Sequence, residues 1–201
     1  FFWAAFEQAG SSLNDVSTSA KDLGNGTYAI KGQKIFISGG DNHFSENIIH
    51  LVLARMEGAP RGTKGISLFV VPKRRQENGQ WVSNEVVSLG VYHKMGQKAT
   101  PALHLSFGDK GDSLGYLVGE PNKGLIYMFQ MMNEARLGVG MGGAYIASAA
   151  YHFSKQYANE RSQGRLLTNK DPNTPPTLIK NHPDVQRMLY FQKAIVEGSM
   201  G

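Results

Sequence analysis

Six histidines, 16 carboxylates and 21 lysine or arginine side chains are the groups in this 201-residue chain that could do acid–base, metal or anion chemistry. The histidines are His43, His50, His93, His104, His152 and His182, and none forms the HxxxH pair that presents two imidazoles to one metal. No metal ligand set is therefore assigned, and each lone histidine reads as structural. There is no phosphate-binding P-loop and no strand-turn-helix nucleophile elbow. The chain has no cysteine, which excludes disulfides, thiolate metal sites and cysteine nucleophiles. The carboxylates are scattered, so no acid–base pair can be named from spacing. The net charge of +5 divides evenly, with 12 Lys/Arg against 9 Asp/Glu in residues 1–110 and 9 against 7 in residues 111–201. Lys73-Arg74-Arg75 is the one basic run; it reads as a solvated turn and gives no case for nucleic-acid binding.

The elements that would carry any site divide into two kinds. Residues 1 to about 118 read as β. Short runs at 28–30 and 34–37 lie either side of a turn at Gly32. Residues 48–53 and 66–71 are β-branched and apolar, as in buried strands, with Pro72 ending the second. Residues 81–89 give a further strand, and Leu103, Leu105 and Phe107 alternate with polar neighbours as on a half-buried one. Many short strands with Gly and Asn turns indicate a barrel or sandwich. From Gly124 the apolar period lengthens to three or four through Leu125, Met128, Met132 and Leu137, then Tyr145, Ile146, Ala149 and Ala150, so a long helix is expected to end near Arg161. Gly138, Gly140, Gly142 and Gly143 interrupt it, each costing about 0.5–1 kcal/mol against alanine. Close approach of another helix or a ligand would explain them; a break is the alternative. After a loop over 164–181, His182-Pro183-Asp184 starts a second helix, expected to bury Val185, Met188, Leu189, Ile195 and Val196.

Residues 137–154 carry no Asp, Glu, Lys or Arg. They contain four glycines, Ser148 and His152 and fall just short of the ~20 residues a membrane span needs, so a buried helix is expected there and no integral membrane segment. The chain opens Phe1-Phe2-Trp3, without a basic leader or cleavage signature, as a piece of a longer protein would. Charged residues are 18%, against about 25% in an average soluble domain. Two helices also leave apolar faces uncovered. Other helices, from the same parent chain or another subunit, are expected to pack here.

Five ordered segments resemble the acyl-CoA dehydrogenase family: residues 32–40 (GQKIFISGG), 65–73 (GISLFVVPK), 93–101 (HKMGQKATP) with Phe107 after it, 133–136 (NEAR), and 157–164 (YANERSQG). Residues 39–43 (GGDNH) and the helix start at 182–185 (HPDV) resemble the branch that contains 3-methylmercaptopropionyl-CoA dehydrogenases. The resemblance implies an α+β fold. The family's middle-domain β-barrel would occupy 1–118, incomplete at its start, and part of its C-terminal helical bundle domain would occupy 119–201.

The resemblance also implies an enzyme with FAD. A family glutamate takes the α-proton of an acyl-CoA thioester, the β-hydrogen leaves as hydride to the flavin, and a trans-2-enoyl-CoA results. Electrons pass to an electron-transfer flavoprotein. That glutamate belongs to a part of the family sequence outside these residues; Glu197 stands on the wrong helix, so no catalytic residue is assigned and the chain alone is expected to be inactive. By position, Phe36 stands where the family often has tryptophan against the flavin, followed by Ile37 and Ser38. Asn133 and Arg136 match positions that touch the CoA substrate, and their i, i+3 spacing shares one helix face. Without the family, Arg136 would read as the partner of Glu134 or Glu120. Arg161 and Gln163 match residues that reach the FAD pyrophosphate, commonly in a neighbouring subunit, where a planar guanidinium suits a diphosphate. Residues 6–12 (FEQAGSS) match the family's loop that binds FAD and substrate. Gly10 and Ser11 are kept, Ser11 touching both ligands. Phe6 replaces a threonine and Ser12 an aspartate, so Phe6 cannot donate the family's hydroxyl hydrogen bond.

Further implications are a homodimer or homotetramer of the full-length protein and a cytoplasmic location, or the mitochondrial matrix in a eukaryote. An acyl-CoA oxidase, with the same architecture but oxygen as acceptor, and a flavin-free acyl-CoA-binding or assembly module remain as alternatives.

Overall fold

The computed structural model describes residues 2–3, 12–169 and 171–201, and the chain folds as two compact units, Phe1–Met131 and Met132–Gly201. Among its described residues the first unit holds ten strands: β1 (Phe2–Trp3), β2 (Ser19–Asp22), β3 (Tyr28–Ser38), β4 (Ile49–Met56), β5 (Ile66–Pro72), β6 (Arg74–Glu77), β7 (Gln80–Ser83), β8 (Val86–Tyr92), β9 (Ala102–Phe107) and β10 (Ser113–Leu117). Helix α1 (Gly124–Glu160) begins in this unit, and α2 (Pro183–Met200) follows in the second. No described helix is long and apolar enough to cross a membrane.

Strand order closes a barrel. β4 pairs with β5, β5 with β10, β10 with β3, β3 with β2, and β2 returns to β4. β3 serves two neighbourhoods. Residues 28–31 pair within this ring, while Gly32 to Ser38 pair with β9, which in turn carries β8. Gly32 is the crossover, at φ 153° with Thr18 Oγ1 2.7 Å and Thr18 Cα 2.8 Å from where a Cβ would stand, so a side chain is excluded. It is a bend inside one strand and not the turn that the sequence suggested. Ile30, Ile37, Val52, Phe69, Leu105 and Phe107 fill the core, all buried to 1% exposure or less.

Other sequence expectations shift for identifiable reasons. Residues 81–89 are two strands, because Asn84 leaves the ladder: its amide donates to Pro72 O at 2.6 Å and Leu114 O at 2.9 Å and accepts from Leu114 N at 2.9 Å. The solvated turn expected at 73–75 instead leads into β6, which forms a hairpin with β7 around Asn78 and Gly79, both at positive φ as a two-residue primed turn requires. β9 is buried on both faces, with only His104 partly exposed, so the half-buried strand expected there is not seen.

Gly124, the first residue of α1, lies against the β5 backbone. A Cβ there would stand 2.5 Å from Ser67 C and 2.7 Å from Leu68 N. Neither atom can yield without displacing a buried strand. Gly124→Ala is expected to destabilise the chain by about 1–3 kcal/mol despite alanine's higher helix propensity. The urea midpoint of the variant against the parent measures this; an unchanged or raised midpoint would mean that the helix start can move away.

In the second unit α1 runs unbroken through its four glycines, so no helix break occurs. An added Cβ at Gly138, Gly140, Gly142 or Gly143 would meet nothing within 4 Å, and the close approach expected of them is not seen among the described residues. In α2 only Val196 is buried; Val185 and Leu189 are half-buried, while Met188 and Ile195 are exposed, as are Leu137, Ile146 and Phe153 of α1. Two helices provide too little surface to bury both apolar faces.

Candidate functional site

The first cluster of sequence-selected residues lies where β3 leaves the barrel. Lys34 pairs with Leu105 and Ile37 with Leu103, so Ile35 and Phe36 together oppose the single residue His104. That is a β-bulge. β8 carries an extra residue at the same level: Ser88 faces Leu105 and Gly90 faces His104, leaving Leu89 over. His104 therefore sits between two bulges, with Nε2 hydrogen-bonded to Gln33 Oε1 at 2.9 Å.

The β3 bulge changes where side chains point. Lys34 and Ile35, adjacent in sequence, both go inward at 0% and 9% exposure, and beyond them alternation resumes with Phe36 outward at 58% and Ile37 inward at 0%. Its φ of 57° is left-handed, a conformation costing an aromatic residue about 1–3 kcal/mol and held only where the surroundings over-determine it. The Phe36 ring lies against Tyr92, centroids 4.6 Å apart at 39°. Ser38 is exposed two residues on, paired with Ala102, which pairs with Tyr92 on its other side. Phe36, Ser38 and Tyr92 therefore share one face. Ile37 has only its backbone to offer a ligand.

Beside Tyr92 lies a groove of about 280 Å³, lined also by Val91, His93, Lys94, Lys98 and Pro101. Lys94 Nζ donates to Gln97 O at 2.9 Å and Thr100 O at 2.6 Å, which closes the loop 93–101. Gly39 N donates to Pro101 O at 2.8 Å and fixes that loop to the end of β3. A separate cavity of about 380 Å³ is walled by Asn42, Asn47, Lys73 and Arg74 among others. Three of its polar side chains are occupied within the fold. Asn47 binds both backbone polar atoms of Arg74, Asn42 caps its own turn, and Lys73 pairs with Asp41.

Among the described residues of this unit two titratable groups are buried. Lys34 Nζ donates to Leu53 O at 2.9 Å, and desolvation lowers its pKa well below the ordinary value. His50 has neither ring nitrogen hydrogen-bonded, and burial above all lowers its pKa to about 4. Neither side chain faces the Phe36 surface.

The remaining described candidates belong to the second unit. Asn133 and Arg136 are exposed on α1, one turn apart. Arg161 and Gln163 follow its end, also exposed. Their backbone is pinned: Ile179 N donates to Arg161 O, Gln163 N to Thr177 O and Thr177 N to Gly164 O, and His182 Nε2 lies 2.8 Å from Gln163 O. The 28 residue steps from Asn133 to Arg161, nearly all helical, span about 42 Å at about 1.5 Å each. One copy of the chain therefore cannot place Arg136 and Arg161 on the same end of one ligand. Phe6, Gly10 and Ser11 lie outside the described residues.

Residues 2–110 match the family profile described as the middle domain of acyl-CoA dehydrogenases, more than half of the chain. This chain belongs to the acyl-CoA dehydrogenase family. The 3-methylmercaptopropionyl-CoA dehydrogenase of Ruegeria pomeroyi is 45% identical over 193 residues, covering 95% of this chain and 32% of that protein. This chain thus spans about a third of the length of the curated relatives it matches. Among solved structures, Caenorhabditis elegans ACDH-11 in complex with C11-CoA superposes at a TM-score of 0.76, with 21% identity over 99% of this chain and 31% of that one. An acyl-CoA dehydrogenase complexed with FAD from Bacillus anthracis superposes at 0.71, with 24% identity over 98% and 29%. These neighbours show the fold: the family's middle-domain β-barrel with helices of the C-terminal part after it.

Sequence reasoning missed Tyr92, His104 and both bulges. One trace of the β3 bulge is present. In Lys34-Ile35-Phe36-Ile37 three apolar residues follow one another, and a regular half-exposed strand would alternate.

Proposed function

We propose that this chain is part of a FAD-dependent acyl-CoA dehydrogenase, with middle domain 1–118 and C-terminal domain 119–201. The whole protein would convert an acyl-CoA thioester to a trans-2-enoyl-CoA and hand electrons to an electron-transfer flavoprotein. The observation that carries the reading is Phe36, an exposed aromatic ring in a strained left-handed conformation, at the family's flavin-contact position and with Ser38 on the same face. Such a surface fits a flat, apolar ring with a polar edge. When bound, FAD supplies the hydride acceptor. The chain's own residues bind and orient.

Phe36 offers its ring face and Ser38 a hydroxyl at the margin, while the backbone at Ile37 stays fixed by its buried side chain. Gly10 and Ser11 would complete the cofactor loop, with Ser11 also reaching substrate and Phe6 giving only apolar contact. Asn133 and Arg136 would hold the CoA part of the substrate. Arg161 and Gln163, about 42 Å from Asn133, would reach the pyrophosphate of a cofactor seated in a neighbouring copy. That geometry supports a homodimer or homotetramer. The α-proton is acidified by the thioester, and the glutamate that takes it is supplied by the parent protein outside these residues. The cytoplasm of a bacterium, or the mitochondrial matrix, is the proposed location.

The test is the visible spectrum of the purified chain after incubation with FAD and desalting. Retained flavin absorption is expected. Phe36→Leu, which keeps bulk and loses the ring, should weaken retention about five- to tenfold, the worth of one aromatic stacking contact. A chain that retains no flavin, or a variant that retains it equally, would set this reading aside in favour of the flavin-free module.

A further inference from the structure

Phe36 does not hold itself outward. In a regular strand its φ would be near −120°, whereas here it is 57°. Three contacts impose the departure. Gln33 and His104 are joined at 2.9 Å, which fixes β3 against β9 just before the extra residue. Ile35 and Ile37 are both anchored in the core, which leaves Phe36 no inward direction. The third contact is with the ring itself, 4.6 Å from that of Tyr92. Tyr92 is the last residue of β8, two strands away, and is brought level with Ser38 because both pair with Ala102. The additional residue in β8 at Leu89 shifts the register of Gly90, Val91 and Tyr92 by one against β9. Without that shift Val91 would take the place opposite Ala102, and no ring would stand beside Phe36. The two bulges therefore act together, one setting the left-handed backbone of Phe36 and the other delivering its neighbour.

We infer that Tyr92 is a positioning residue of this site: its ring holds Phe36 in the outward conformation, and the wall offered to a flat ligand is a pair of rings from β3 and β8. The inference rests on the flavin reading for its functional meaning and on the bulge geometry for its physical content. An unsupported phenyl group on the surface would sample its rotamers. Tilted against a second ring it is confined, and the ordering cost is met before a ligand arrives. The contact is one of ring faces, so the Tyr92 hydroxyl has no part in it.

Ring-labelled nuclear magnetic resonance of the 201-residue chain tests the positioning without ligand. In Tyr92→Ala the Phe36 ring signals should lose the shift caused by a neighbouring ring, and the Phe36 backbone coupling should leave its positive-φ value. In Tyr92→Phe both should stay as in the parent. Phe36 signals unchanged in Tyr92→Ala, or equally displaced in Tyr92→Phe, overturn the inference. FAD is then titrated into the same proteins. Binding about three- to tenfold weaker in Tyr92→Ala, restored in Tyr92→Phe, is the expected result on the scale of an aromatic pair. Equal binding to Tyr92→Ala with a displaced Phe36 overturns Tyr92 as part of the site. FAD that leaves the parent's Phe36 signals untouched overturns the flavin reading alone, and the ligand-free spectra still decide the positioning.

Discussion

Truncating Phe107 to alanine is expected to lower the unfolding free energy by about 3–5 kcal/mol, a large part of the 5–15 kcal/mol typical of a domain. The residue is 1% exposed and ends β9, with Gly32 across one ladder and Val86 across the other. Its position next to Gly32 matters. There β3 bends out of the closed ring, and the phenyl ring belongs to the buried core cluster beside that bend. It also stands edge-on to His50, centroids 5.7 Å apart at 89°. Collapse into the vacancy is resisted because the neighbours are strands of a closed barrel, so the cavity term should be near the top of its range. The urea midpoint followed by far-ultraviolet circular dichroism measures the loss. A shift worth less than about 1 kcal/mol would show that the crossover repacks.

The second large effect is a loss of stability in mild acid that traces to His50. Its folded pKa is about 4, lowered first by burial and then by the charge of the amino terminus, with Asp41 acting in the opposite sense and Lys73 adding a smaller lowering. The unfolded value is the ordinary 6.5. Between these values the unfolded chain binds a proton that the folded chain refuses, so stability falls as pH drops from about 6.5 towards about 4. At about 1.4 kcal/mol per unit the full effect is about 3 kcal/mol, complete near pH 4 and absent above pH 7. His50→Leu removes the titrating group and two buried nitrogens that have no hydrogen-bond partner. The difference in unfolding free energy between variant and parent should therefore grow across that window. Parallel pH profiles for the two proteins would show that the imidazole is hydrated or protonated in the folded state. Because His50 and Phe107 touch, their substitutions should not add.

Much of the fold was legible because strong patterns coincide with strong physics. The β-branched runs at 48–53 and 66–71 lie within or beside β4 and β5, and Pro72 does end the second. α1 and the proline start of α2 follow apolar period and N-terminal chemistry. What escaped depends on partners that a linear pattern does not carry. β6, and with it the β6–β7 hairpin, was hidden because all four of its residues are polar or charged. Gly32 looked like a turn because a glycine that admits a close backbone neighbour has the same letter as one that reverses the chain. At the candidate site, Phe36 and Ser38 could be picked out by family position. Tyr92 could not, since its place beside Phe36 is set by an extra residue at Leu89, and one additional residue in a strand leaves no compositional mark.

That extra residue has a second consequence. β8 is an outer edge of the eight-stranded sheet, and Val87, Leu89 and Val91 are exposed along it at 43%, 47% and 67%. A straight edge of that composition is a template for strand addition and aggregation. The kink at Leu89 interrupts the ladder midway, so an incoming strand could match the outer amides over only a few residues. The irregularity that brings the Tyr92 ring beside Phe36 thus also shortens the regular ladder that this edge offers to an incoming strand.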